Sequence, residues 1–227
     1  METHPDEYMR LLCEMANEAG MQIVTHSIGN AATAKMVGIY EGLDRFEGNP
    51  LRHGIIHCQI TERSLLERIA RDRIPVFYQP VFLNYHTHIL VDRVGPELAA
   101  TSYAFGTARK LGIPVSYSTD CPMEDCNPFH NIYHAVTRAD SSGWPAGGLF
   151  PDECVSVEDA VDAYTAGSAF NEFKENVKGR IRPGFLGDLV VLDRDIFTCG
   201  KEEIFRILPE MTVIGGEIVY RRNGAEH

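Results

Sequence analysis

The sequence predicts an α/β fold: part of a β/α barrel followed by a small β segment. Two observations carry this expectation. Strand-like and helix-like runs alternate four times along the first half of the chain, the pattern of parallel β/α units. Four of the strand-like runs also end on a metal-capable or polar side chain, namely His26, His57, Gln79 and Asp120. Such residues at successive strand ends predict one site at the carboxyl-terminal face of a barrel. Residues 1–180 are expected to form the barrel portion and residues 181–227 the β segment.

The first element is a helix, because Tyr8, Leu11, Leu12, Met15 and Ala19 follow helical spacing and Gly20 suits its C-cap. Beginning on such a helix directly before a buried strand is unusual for a complete barrel. Met21 to Thr25 reads as a short buried strand with His26 at its end, and Ala31 to Ile39 has helical composition. The second strand runs from His53 to His57, about one β/α unit further on. Thr61 is a natural N-cap for the helix SLLERIARD that follows. The third strand is IPVFYQP, with prolines at its boundaries where they are tolerated. A longer segment then leads to a helix near Glu97 to Leu111, and the β-branched run Ile113 to Ser118 delivers Asp120.

Beyond this point Asn131 to Pro151 reads as loop, with GWPAGG marking an exposed excursion. Ser156 opens the helix SVEDAVDAYTAGSAFNEF with a partial capping box in which Asp159 stands for the usual Glu or Gln. RPGFLGDLVVLDRD is a turn into a strand, and TVIGGEIVYRR is a hairpin around Gly215 and Gly216. This tail of short strands predicts a small satellite sheet.

Composition narrows the function classes. Hydrophobic residues make up 44% and charged residues 23%, which describes a folded chain rather than a disordered or fibrous one. The formal net charge of -11 argues against nucleic acid and against an anionic membrane surface as partners. No stretch approaches the roughly 20 apolar residues of a membrane helix. The acidic first twenty residues lack a signal-peptide core, and the six cysteines are scattered, so a reduced cytoplasmic protein is expected. Cys121 and Cys126 form a C-x4-C pair, but a zinc knuckle needs a second such pair and none exists.

Imidazole and carboxylate donors suit zinc and comparable divalent ions. A single strand-end histidine is explained as well by structure as by ligation; three donors on successive strand ends, His26, His57 and Asp120, favour a metal site. THSIGNAA, GIIHCQIT, FYQPVF, YSTDCP, NPFHNIYHAVTR, AYTAGSAF, KGRIRPGFLGDLVVLDRDIF and TVIGGEIVY resemble, in order, the carboxyl-terminal half of amidohydrolases of the amidohydrolase-3 branch. These are metal-dependent hydrolases that include N-substituted formamide deformylases.

The resemblance implies strands five to eight of a (β/α)8 barrel with a small β-sandwich beside it. It implies His26 and His57 as ligands of a divalent metal, zinc by preference. Asp120 becomes both ligand and proton acceptor for an attacking water, and Gln79 lines the site as a substrate contact. The reaction implied is hydrolysis of a carbon–nitrogen, non-peptide amide-type bond in a small molecule. The family's first-strand H-x-H pair and fourth-strand lysine have no counterpart here, so the chain is expected to be an incomplete portion. A missing amino-terminal half or a split partner would complete it, a homodimer of two half-barrels would cover its open edges without restoring that pair, and a non-catalytic fragment is the alternative.

Local departures accompany the resemblance. Asn30 replaces an acid in HSIGN, Ile56 replaces the Glu before the second histidine, and Leu98 replaces an Arg. His86-Thr87-His88 repeats the H-x-H pattern after the third strand, which makes His88 a candidate contact for metal or substrate. Arg138 is a candidate partner for an acidic substrate group, with a surface salt bridge as the alternative. His53, His130 and His134 are expected to be structural.

Overall fold

A computed structural model describes residues 4–222. In chain order the elements are α1 (Asp6–Glu18), β1 (Val24–Ser27), α2 (Asn30–Glu41), β2 (Gly54–His57), α3 (Arg63–Arg71) and β3 (Val76–Tyr78). Then follow α4 (Leu83–His86), α5 (Leu90–Val94), α6 (Pro96–Ala100), α7 (Phe105–Leu111), β4 (Val115–Tyr117) and α8 (Pro128–Thr137). The remainder comprises α9 (Val157–Tyr164), α10 (Ala166–Asn171), β5 (Leu189–Leu192), α11 (Lys201–Ile204), β6 (Pro209–Ile214) and β7 (Glu217–Arg221). Among the described residues no helix is long and apolar enough to cross a membrane.

The chain divides into two compact units, one of residues 4–79 with His88–Ser116, the other of Pro80–Thr87 with residues 117–222. The divisions fall after Gln79, after Thr87 and within β4, between Ser116 and Tyr117.

In the first unit the strands stand in the order β1-β2-β3-β4. The pairs β1–β2 and β2–β3 are parallel, with Val24 opposite Gly54 and Ile55 opposite Val76. Sequential parallel strands joined by helices are the expected β/α arrangement. Helix α2 buries Thr33, Met36, Val37 and Tyr40, an i, i+3, i+4, i+7 stripe. Tyr40 Oη donates to Gly54 O at 3.0 Å and so ties this helix to the second strand. A Cβ at Gly54 would sit 2.7 Å from the Phe77 ring and 2.9 Å from Pro75 O, so β2 and β3 can approach only because residue 54 has no side chain. Helix α3 turns Leu65, Leu66 and Ile69 inward and leaves Arg63 and Glu67 paired on its outer face.

Several boundaries differ from the sequence expectation. His26 lies within β1 rather than just after it. Glu62, not Thr61, caps α3; Thr61 instead exchanges side-chain to carbonyl hydrogen bonds with Thr101, at 2.6 and 2.5 Å. The helix expected near Glu97 to Leu111 is two helices. Thr101 and Ser102 both donate to Leu98 O, which ends α6, and Tyr103 takes a φ of 50° before α7 begins. The apolar positions Tyr8, Leu11, Leu12 and Met15 of α1 are exposed, and Cys13 is its buried residue. Ala19 is the C-cap, with Gly20 in the left-handed region one residue later.

The second unit shows two further corrections. Asn131 to Thr137, read as loop, belongs to α8. Asn127 caps that helix by accepting from Phe129 N at 2.9 Å, and Pro128 occupies the first turn. The helix expected from Ser156 to Phe173 breaks at Thr165, whose hydroxyl donates back to Val161 O. Its start is as expected, with Ser156 Oγ accepting from Asp159 N at 3.0 Å. The tail forms an antiparallel sheet, β5-β6-β7, turned at Gly215 and Gly216 with positive φ at both.

Candidate metal centre

His26 and His57 come together at the carboxyl-terminal ends of β1 and β2. His26 pairs with Ile56 and Ser27 with His57, so the two histidines are one residue out of step across the parallel pair. Their rings meet edge to face, with centroids 4.5 Å apart and an interplanar angle of 77°. His26 is exposed and His57 is buried. The chain turns sharply at this strand end: His57 and Cys58 have φ of 76° and 47°, in the region that L residues rarely occupy. Cys58 N donates to Ser27 O at 2.9 Å and holds the turn. Burial pushes the Cys58 thiol up to about 12, which keeps it a neutral thiol rather than a thiolate donor.

Gln79, buried just past β3, reaches the same place. Its Oε1 lies 2.7 Å from His57 Nδ1, and its Nε2 donates to Phe77 O at 2.9 Å.

Asp120 belongs to the second unit, three residues past the end of β4. It is exposed, has a φ of 58°, and its carbonyl accepts from Met123 N at 2.8 Å. Asn131 organises the backbone leading to it. Its Nδ2 donates to Ser118 O at 2.7 Å, its Oδ1 accepts from Val81 N at 2.6 Å, and the Tyr164 hydroxyl is a further partner. A lone asparagine inside a helix carries no sequence signature, and this role was not legible before the fold was known.

The remaining candidates lie in different surroundings. His88 is exposed and belongs to the first unit, whereas His86 belongs to the second. His86 is half-buried against Phe82, and desolvation lowers its pKa. Arg138 is fully buried at the end of α8, and its Nε donates to Leu149 O at 2.5 Å.

His53 is structural: Nδ1 accepts from Ile23 N and Nε2 faces Asn17 Oδ1, both at 3.0 Å. His134 is likewise buried, with Nδ1 2.7 Å from Ala139 O. Of the local departures, Asn30 donates to Glu62 Oε1 at 2.8 Å, and Leu98 supplies the carbonyl that ends α6. All six cysteines are free, and Cys121 and Cys126 are exposed.

Among the described residues no three His, Cys, Asp or Glu side chains are gathered to hold a metal ion. Zinc centres take three or four protein ligands. The His26–His57 pair brings together two imidazoles, a ligand type that suits a divalent metal, and by number alone does not make a whole centre.

Residues 1–220 match the amidohydrolase-3 family model, described as Amidohydrolase family. The chain is 32% identical over 227 residues to a Bacillus subtilis protein named "Putative amidohydrolase YtcJ", covering 98% of this chain and 42% of that protein. It is 25% identical over 215 residues to N-substituted formamide deformylase of Arthrobacter pascens, covering 94% of this chain and 39% of that protein. The structure resembles an uncharacterized metal-dependent hydrolase from Pyrococcus horikoshii with a TM-score of 0.77 and 27% identity, over 88% of this chain and 39% of that one. The chain thus spans about two-fifths of the length of these relatives. With a family model matched over nearly its whole length, the chain belongs to the amidohydrolase family.

Proposed function

We propose that this chain is the carboxyl-terminal portion of a metal-dependent hydrolase that cleaves carbon–nitrogen bonds of amide type in small molecules. The observation that carries this reading is the edge-to-face His26–His57 pair at adjacent parallel strand ends. The strands of the four-stranded sheet then correspond to strands five to eight of a (β/α)8 barrel, and the antiparallel sheet to part of an accompanying sandwich.

In this reading His26 and His57 hold a divalent ion, zinc by the softness of its nitrogen donors. Such an ion supplies Lewis-acid polarisation of the scissile carbonyl and lowers the pKa of the attacking water. Asp120 accepts the proton of that water on its carboxylate and returns it to the leaving amine nitrogen, which balances the hydrolysis. Its assignment rests on the family resemblance and its place after the fourth strand.

A second reading is favoured by the two-donor count: the chain alone is non-catalytic and needs a separate polypeptide to complete the centre. Four strands cannot close an eight-stranded barrel, and the order β1-β2-β3-β4 leaves an outer edge on each end strand among the described residues.

Both readings are tested by assaying hydrolysis of a panel of N-acyl and N-formyl amines. The chain is assayed alone and then reassembled with an amino-terminal barrel portion. Activity on reassembly, abolished by Asp120→Ala, is expected; unchanged turnover in Asp120→Ala removes the role given to that carboxylate.

A further inference from the structure

We propose that Gln79 is a positioning residue that holds His57 in the tautomer protonated at Nδ1, which puts the ring's lone pair on Nε2, the nitrogen that would face a divalent metal. The inference follows from two distances and the donor inventory. Phe77 O can only accept, so the group 2.9 Å from it must be the Gln79 amide NH2. That fixes the orientation of the amide and turns its Oε1 toward His57 Nδ1, 2.7 Å away. Oε1 can only accept as well, so Nδ1 carries the hydrogen. A neutral imidazole has one N–H, and Nε2 is then the ring's basic nitrogen.

Both side chains are buried, at 3% exposure for His57 and 1% for Gln79, so bulk water competes weakly for the bond. The backbone supports the same geometry. Ile56 pairs with Phe77, which brings His57 level with Tyr78, one residue short of Gln79. A neutral histidine side chain in water prefers the proton on Nε2, the wrong nitrogen to protonate if Nε2 is to ligate. Metal-binding histidines commonly have their other nitrogen held by a carbonyl or carboxylate. Here a side-chain amide, itself anchored on the backbone, does the same. Gln79 acts through His57, in place of the direct substrate contact expected from the sequence.

The metal half of this proposal rests on reading His57 as a ligand, while the tautomer does not, and the two are separable. Long-range 1H–15N spectra of the metal-free chain, labelled at histidine, read the tautomer directly at neutral pH. The expected result is His57 protonated at Nδ1 in the parent. Gln79→Leu should move the proton to Nε2, and Gln79→Glu, which restores an acceptor, should return it to Nδ1. A parent His57 protonated at Nε2, or an unchanged tautomer in Gln79→Leu, overturns the proposal, and the parent measurement stands whether or not a variant folds. Zinc titration of the same proteins tests the metal half: Gln79→Leu should weaken zinc binding by about 10- to 100-fold, with recovery in Gln79→Glu. A tautomer shift with unchanged zinc affinity overturns His57 as the ligand while leaving the orienting bond established.

Discussion

The imidazoles of His26 and His57 face each other across two parallel strands, with centroids 4.5 Å apart. Only one of the two is buried, and this difference makes them separable by mutation. His26→Ala removes an exposed side chain, and such changes usually stay within about 0.5 kcal/mol. The melting temperature should move by no more than about 2 °C, while binding of zinc to the pair falls at least tenfold. Differential scanning calorimetry with zinc titration checks both halves.

Gly54 should tolerate no side chain. Gly54→Ala forces a methyl into the Phe77 ring and Pro75 carbonyl that flank β2. Overpacking of this kind costs about 1–3 kcal/mol. The urea midpoint should fall accordingly, and an unshifted midpoint would mean that the contact of β2 with β3 is looser than the structure shows.

Asn131 joins the segments around Val81 and Ser118 within the second unit. Asn131→Leu leaves a buried amide N–H without its acceptor and a carbonyl without its donor, at about 1–3 kcal/mol for each group. A loss of at least about 2 kcal/mol is expected in equilibrium denaturation. A loss below about 0.5 kcal/mol would show that these backbone groups find other partners.

Acid should weaken the fold before its carboxylates titrate. Burial lowers the pKa of His134 from an unfolded value near 6.5 to about 4, and lowers that of His53 as well. Between those values the unfolded chain binds more protons than the folded one. The His134 contribution is therefore complete above about pH 6.5 and lost progressively as pH falls toward 4. Its full size is on the order of 3 kcal/mol. Among the described residues Nε2 of His134 is buried without a hydrogen-bond partner, so His134→Phe fills the ring's space and gives up only the bond from Nδ1 to Ala139 O. Denaturation across pH 7.5 to 4.5 should show a shallower decline in that variant; an identical slope would remove His134 as the cause.

Much of the fold was legible from periodicity and turn chemistry. The first three strand runs and the Gly215-Gly216 hairpin appear nearly where apolar runs and glycine pairs placed them. Misreadings arose where side-chain hydroxyls or caps outweighed composition. Thr101 and Ser102 split one expected helix, and Asn127-Pro128 began another inside an expected loop.

For the candidate centre, strand-end position pointed to His26 and His57, whose rings the structure brings together. Strand-end position could not reveal that Gln79 spends its amide on His57 and Phe77, since this depends on the register of β2 with β3. Nor did it foresee a buried Arg138, because an arginine after a helix usually reaches water.

In the proposed centre His26 and His57 together are two ligands of a metal site that this chain holds only in part. Zinc titration of the purified chain, beside His26→Ala and His57→Ala, tests it most directly. Weak binding that chelator reverses, less than one zinc retained per chain after purification, and loss of binding in both variants are expected. A stoichiometric, chelator-resistant zinc, or binding unchanged in both variants, would contradict it.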